Sequence, residues 1–212
     1  MPSAPFTIAP LGSDAARFEQ ATDQTFEQAL ATLRDGLGAG FITREGLLRY
    51  VAPDAPDARE PFRSALAATD DATGAVIGAL TMEIVDTESF QTSFLHSYDL
   101  ARADETIARL ASAPTGLIKS IAVAPSARGR GVATGLIGAG MRALAERGAR
   151  RYYSLAWVNR QRGCQLCGVL AALGFHSALR IERFWYRDSL ASGYRCPACD
   201  QPCECAVEVM VR

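Results

Sequence analysis

The first apolar signal is short. Residues 6–9 close at Pro10 and Gly12, which predicts a brief first strand, and Ser13 stands where it would cap a helix opening at Asp14. Phe18, Phe26, Leu30 and Leu33 continue a helical stripe that runs into Gly36, Gly38 and Gly40. That glycine cluster reads as a helix exit, because no strand precedes it and no Lys-Ser/Thr pair follows. Residues 52–61 carry three prolines and form a loop. Residues 62–68 and 75–85 then read as strands joined through Asp70, Asp71, Ala72, Thr73 and Gly74, which favours a hairpin. Within the less patterned stretch 87–114, Ile107 and Leu110 suggest a helix over 104–111, and 116–123 is a strand ending before Pro125.

Further along, Val132, Leu136, Ile137, Met141 and Leu144 lie at helical spacing until Gly148 stops the run. Residues 152–158 form a strand, and a helix through Leu166, Leu170 and Leu173 ends at Gly174. Residues 175–187 and 206–211 read as strands on either side of a cysteine-rich loop. Helices embedded in a mixed sheet place the chain in the α/β class. At 212 residues it suits one domain, with the loop 194–206 as a small appendage within it.

Charge narrows the partners. A net charge of −1 creates no field for a polyanion, so neither nucleic acid nor an anionic membrane is expected as a main partner. Lys119 is the only lysine, and the excess of Arg and Ala reflects compositional bias before any binding role. The N-terminus lacks the pattern of a signal peptide, and no segment approaches the ~20 apolar residues of a membrane span. A cytoplasmic protein is expected. In that reducing compartment the six cysteines imply metal, redox chemistry or burial rather than a disulfide framework.

The densest chemistry lies in Ile121-Ala122-Val123-Ala-Pro125-Ser-Ala-Arg128-Gly129-Arg130-Gly131-Val132-Ala133. A strand feeds a turn of small residues, and a helix starts at once. Backbone N–H groups from Gly129 to Ala133 would point into one concavity, where the helix start favours an anion. Gly129 and Gly131 let the backbone approach a phosphate, and Arg128 and Arg130 can add charge-assisted hydrogen bonds. On these residues alone, an ordinary surface turn with solvated arginines is an equal alternative.

Arg-x-x-Gly-x-Ala, written here as Arg128, Gly131 and Ala133 after Val123-x-Pro125, resembles the acetyl-CoA signature of the GNAT acyltransferases. Asn159, directly after a strand, resembles the family asparagine near the pantetheine arm, and Leu173-Gly174-Phe175 resembles the Leu-Gly-Phe that closes the next helix. The resemblance implies a mixed central sheet splayed open between the strands ending at Val123 and Asn159, flanked by helices. It also implies acetyl-CoA as cosubstrate in the cleft: its pantetheine amides on the backbone of Ile121, Ala122 and Val123, its diphosphate on Gly129 to Ala133, and an unidentified amine as acceptor.

Acylating an amine from a thioester requires a base for the amine's proton, a group to polarise the carbonyl and an acid for the thiolate. Many members of the family supply the acid from a tyrosine four residues before the glycine of Leu-Gly-Phe; here that residue is Leu170. Tyr186 or a water could replace it. The strand 116–123 has no carboxylate, so Glu83 on the preceding strand is the leading candidate base, acting through water, against the alternative of an outward-facing strand glutamate. His96 is the second candidate by its pKa range. His176 reads as a strand histidine and Lys119 as a solvated strand lysine. Asp86, Glu88, Asp99, Asp104 and Glu105 could attract a cationic amine or simply be solvated.

Cys196-Pro-Ala-Cys199-Asp200-Gln-Pro-Cys203-Glu-Cys205 places four thiols within ten residues, and its first half has the spacing of a zinc knuckle. Asp200 tolerates the left-handed turn such a knuckle wants. Four thiolates would close a tetrahedral structural site for Zn2+ that pins the last two strands. Cys164-x-x-Cys167 could share such an ion, and a redox pair or free thiols are the other readings. The leading function is an acetyl-CoA-dependent N-acetyltransferase. A CoA-binding sensor with little turnover and a zinc-stapled protein-interaction module are the alternatives. Oligomeric state is open.

Overall fold

The computed structural model describes residues 5–12, 22–51, 62–85, 114–191, 194–199 and 202–212. The expected cap at Ser13, Phe18, the loop 52–61, the helix over 104–111, His96, the acidic residues from Asp86 to Glu105, and Asp200 lie outside them.

In chain order the elements are β1 (Phe6–Pro10), α1 (Thr22–Leu37), α2 (Arg44–Leu48), β2 (Arg63–Asp70), β3 (Val76–Val85), β4 (Thr115–Val123), a 3-10 turn (Pro125–Ala127), α3 (Val132–Glu146), β5 (Arg151–Asn159), β6 (Gly163–Cys164), α4 (Cys167–Ala172), β7 (His176–Ile181), α5 (Tyr186–Ala191) and β8 (Ala206–Val211). Among the described residues eight strands form one sheet in the order β1-β2-β3-β4-β5-β8-β7, with β6 paired to β5. All neighbours are antiparallel except β4 and β5, which run parallel.

The sheet buries both faces, as the strand period of two requires. Along β2, Ala65 and Ala67 face Phe26, Leu30 and Leu33 of α1, while Leu66 and Ala68 face Val132, Leu136, Ile137 and Leu144 of α3. The helical stripes expected from spacing are thus the buried ones. A Cβ on Gly36 would meet the Ala122 Cβ at 2.6 Å, so the last turn of α1 lies directly on β4. Gly38 then takes φ +109 and ends the helix, as expected of that glycine cluster.

Two readings change. The stretch 175–187 is not one strand: β7 stops at Ile181, Arg183 adopts φ 54, and the chain turns into α5. Apolar Phe184 and Trp185 mimic a continuing strand, but Phe184 is buried from the turn. Short α2, capped by the Thr43 hydroxyl accepting from the Gly46 N–H at 2.9 Å, also had no legible apolar period. No helix among the described residues is long and apolar enough to cross a membrane.

Candidate active site

The cleft originates where two strands part. β4 and β5 pair only from Thr115/Arg151 to Ile118/Ser154, and the Ser154 hydroxyl donates to the Ile118 carbonyl at 2.9 Å at the last of these pairs. Beyond it, 119–123 and 155–159 diverge. A bulge sits at the same level. Against β3, register passes from Met82/Ile118 to Thr81/Ser120, so Lys119 is the extra residue and is left out of the ladder. The opening between the strands belongs to a cleft of about 890 Å³.

One end of the cleft is the turn into α3. Arg128, Gly129, Gly131, Val132, Ala133 and Thr134 line it. Gly129 and Gly131 have φ +77 and +82, and a Cβ on either would meet nothing within 4 Å. The protein's own packing therefore leaves the space over this backbone open, and the positive φ alone selects glycine. Gly131 caps the fifteen-residue helix without a side-chain cap hydrogen bond among the described residues.

Arg130 departs from its expected role. Its Nη2 donates to Asp70 Oδ2 at 2.9 Å, and Arg130 is absent from the cleft lining. Asp70 Oδ1 meanwhile accepts from the N–H groups of Ala72 and Thr73. The arginine thus ties the cradle to the β2–β3 turn, and Arg128 remains the cradle's guanidinium.

Glu83 is neither solvated nor outward-facing: its side chain is 13% exposed. Its carboxylate accepts from the Tyr50 hydroxyl at 2.9 Å and from Lys119 Nζ at 3.2 Å, with Arg63 Nε at 3.6 Å. Burial and then the Glu83 charge push the Tyr50 phenol well above its usual range, so it serves as a donor. Lys119, whose ammonium also lies 5.5 Å from the Tyr50 ring centroid, lines the cleft, whereas Glu83 stands behind it. The lysine is exposed, as expected of a solvated strand residue, and is also part of the cleft wall. Tyr50 was not legible as a site residue because its partner is 33 positions away and no local spacing links them.

The α4 side of the cleft is apolar. Leu166 and Val169 face it, while Leu170, at the position expected to hold a tyrosine, is fully buried in the core. Tyr186 stacks under Arg183, 3.9 Å from its guanidinium, and does not reach the cleft, and His176 is an exposed strand residue. Asn159 borders the cleft with its Oδ1 accepting from the N–H groups of Gln161 and Arg162, which shapes the turn into β6. Cys164 and Cys167 form a disulfide, with Cα atoms 5.5 Å apart. This single local pair is not a disulfide framework, and it takes these two cysteines out of the shared metal site that was the alternative for them; a Cys-x-x-Cys entering a helix brings its Cα atoms within disulfide reach.

Cys196, Cys199, Cys203 and Cys205 converge, with all four sulfurs within 4.8 Å of one another. Three of the separations are 3.7, 3.8 and 3.7 Å. An ion with Zn–S bonds of about 2.3 Å in a tetrahedron requires S···S edges of about 3.8 Å, so the donor set and its spacing fit zinc. Burial pushes Cys203 upward and Cys205 up to about 11, while the Glu204 N–H and the neighbouring thiols outweigh burial to lower Cys199. Cys164 and Cys167 are outside this cluster.

The cluster also backs a wall of the cleft. Trp157, Trp185 and Tyr194 pack against it, and all three line the cleft together with Leu37, the last residue of α1, and Phe41 after it, on the face of the sheet opposite α3. The Tyr194 hydroxyl donates to the Leu37 carbonyl at 2.9 Å. None of these aromatic residues was identifiable from sequence, since they come from separate segments with no shared motif.

A model of the acetyltransferase (GNAT) family matches residues 31–175. Among solved structures, NAA60 of Arabidopsis thaliana in complex with acetyl-CoA is 16% identical, with TM-score 0.59 and coverage of 98% of this chain and 99% of that one. A polyamine N-acetyltransferase of Drosophila melanogaster is 15% identical (TM-score 0.57, coverage 97% and 99%). Arylalkylamine N-acetyltransferase 2 of Aedes aegypti is 16% identical (TM-score 0.55, coverage 98% and 98%). At these identities the likeness is one of fold. No curated protein matches the chain by sequence.

Proposed function

The chain belongs to the GNAT family of acetyltransferases, and from that premise we propose that it transfers an acetyl group from acetyl-CoA to the amine of a small molecule or protein. One observation carries this reading: a single continuous cleft joins the open glycine cradle at Gly129–Gly131 to the gap between β4 and β5. The cradle amides and Arg128 suit a diphosphate. Ile121, Ala122 and Val123 lie on the stretch of β4 that has parted from β5, so their backbone can receive the pantetheine amides as an added strand would.

The reaction joins the amine nitrogen to the thioester carbonyl carbon and breaks the C–S bond. The amine's proton is lost and the departing thiolate gains one. The bulge at Lys119 is proposed to turn a backbone N–H toward the thioester carbonyl and polarise it. Glu83 is proposed as the base, receiving the amine's proton through water past Lys119. Its hydrogen bond from Tyr50 and its ion pair with Lys119 fix the carboxylate directly behind a lysine of the cleft wall. Leu166 and Val169 offer no proton to the thiolate, so water in the cleft is proposed as the acid.

The four-cysteine cluster is proposed to hold Zn2+ in a structural role, with Cys196, Cys199, Cys203 and Cys205 as its ligands. A closed set of four protein ligands leaves no position for substrate.

Calorimetric titration with acetyl-CoA, free CoA and ATP tests the reading. Saturable binding of acetyl-CoA and CoA but not ATP, followed by CoA release in the presence of an amine panel, is expected. Absence of acetyl-CoA binding overturns it, and binding without turnover on any amine overturns the transferase activity.

A further inference from the structure

We propose that the side of the cleft walled by Phe41, Trp157, Trp185 and Tyr194 is the acceptor subsite, and that it takes a primary amine carried on an aromatic ring. The inference rests on the acetyl-transfer reading and adds to it the substrate class and the role of the cysteine cluster.

The two sides of the cleft differ in chemistry. With the diphosphate on the Gly131 turn at the start of α3, on one face of the sheet, and the thioester at the strand gap, the α1 face of the cleft is left for the acceptor. Four rings from four separate segments meet there: the loop after α1, the diverged part of β5, the start of α5 and the entry to the cysteine loop. Rings in such a pocket contact another ring by edge or offset stacking. Among the described residues the lining has no carboxylate, while Lys119 and Arg128 are on it. A polycation therefore gains no ion pair from these walls, and a ring gains contact from each of them.

The rings are also held. Phe41 meets the Tyr194 ring edge-on with centroids 5.9 Å apart, and buried Phe184 braces Trp185 at 4.9 Å from behind. Trp157, Trp185 and Tyr194 rest on Cys196, Cys203 and Cys205. The cysteine loop is fastened to the exit of α1 by the Tyr194–Leu37 hydrogen bond, and it passes so close that a Cβ on Gly38 would lie 2.6 Å from the Arg195 carbonyl oxygen. The thiol cluster is thus the backing of the aromatic wall. Its four cysteines are positioning residues for acceptor binding and do not themselves line the cleft.

The test uses the protein as purified, at saturating acetyl-CoA, with 2-phenylethylamine and tryptamine against butylamine and putrescine. The aryl amines are expected to exceed both aliphatic amines in kcat/KM by about 30-fold or more. Phe41→Ala should raise the aryl-amine KM about tenfold with a smaller change in kcat, and Phe41→Leu should do so less, while the acetyl-CoA Kd measured by calorimetry is unmoved. Cys199→Ser should weaken tryptamine binding to the CoA-loaded protein by about tenfold in calorimetry, with CoA affinity retained. Equal turnover of aryl and aliphatic amines, preference for putrescine, or parallel loss of acetyl-CoA and amine affinity in Phe41→Ala overturns the subsite. Failure to bind acetyl-CoA at all overturns the transferase reading, and the inference falls with it.

Discussion

Arg130 Nη2 donates to Asp70 Oδ2 at 2.9 Å and so joins the turn that opens α3 to the β2–β3 hairpin, sixty positions earlier in the chain. The bond consumes a charge that would otherwise serve the cradle and uses it to set the cradle's position. Asp70 completes the arrangement by accepting from Ala72 and Thr73 with its other oxygen.

Asp70→Asn should therefore lower both thermal stability and acetyl-CoA affinity. The Arg130 guanidinium, with the two backbone N–H groups, holds the Asp70 carboxyl below its usual range. The folded protein binds that proton more weakly than the unfolded chain does. The stabilisation is complete above the unfolded pKa of about 3.9 and is lost as pH falls through the folded value. Thermal melts at pH 7 should separate the variant from the parent, and the difference should shrink below about pH 4. A constant difference across that range would show that Asp70 acts by shape alone.

Gly131→Asp should abolish acetyl-CoA binding in calorimetry while the protein stays folded, because a carboxylate would stand over the amides meant for a diphosphate. Gly131→Asn separates charge from backbone strain, since Asn and Asp tolerate the left-handed conformation better than other residues with side chains. The Asn variant should retain measurable affinity. Equal affinity in parent and Asp variant would remove the diphosphate from this turn.

Glu83→Gln should reduce kcat by about 100-fold, the lower range for loss of a general base, with acetyl-CoA Kd unchanged. Tyr50→Phe, which removes a hydrogen bond to the carboxylate but not the carboxylate itself, should have the smaller effect. Unaltered kcat in Glu83→Gln would return Glu83 to a purely structural ion-pair role with Lys119 and Arg63.

Cys199→Ser should release zinc and lower Tm, and chelation of the parent protein should do the same. Elemental analysis of the purified protein should find stoichiometric zinc. Its absence, together with a silent substitution, would leave the cluster as buried thiols.

Leu170→Ala should cost about 2–5 kcal/mol of stability, the range for a large-to-small change in a well-packed core. Leu170 is fully buried. The pH–rate profile should keep its shape, since this residue carries no proton for the reaction; a lost limb would place α4 in the proton path after all.

What the sequence determined by itself is local. The apolar runs of β2 and β3 with the turn residues between them, the stripes of α1 and α3, and the small residues between Val123 and Val132 each impose their conformation within a few positions, and the motif Arg128-x-x-Gly131-x-Ala133 sits where strand and helix dictate. The convergence of the four tail cysteines was legible for the same reason, because Cys196-Pro-Ala-Cys199 has the spacing of a knuckle turn that brings two thiols together. Even the misread stretch 175–187 fails locally, where Arg183 takes a positive φ that no apolar pattern encodes.

Only the tertiary structure decided which groups share a space. Arg130 turned to Asp70 rather than the cradle, Tyr50 and Lys119 closed on Glu83, and Cys164 bonded to Cys167 instead of joining the four-cysteine cluster. The ring wall of Phe41, Trp157, Trp185 and Tyr194 draws on segments more than a hundred residues apart. The physical reason is the range of the forces involved. Backbone torsions and helix or strand periodicity act between near neighbours, whereas ion pairs, ring contacts and thiol clusters form only after the sheet has brought distant strands into register.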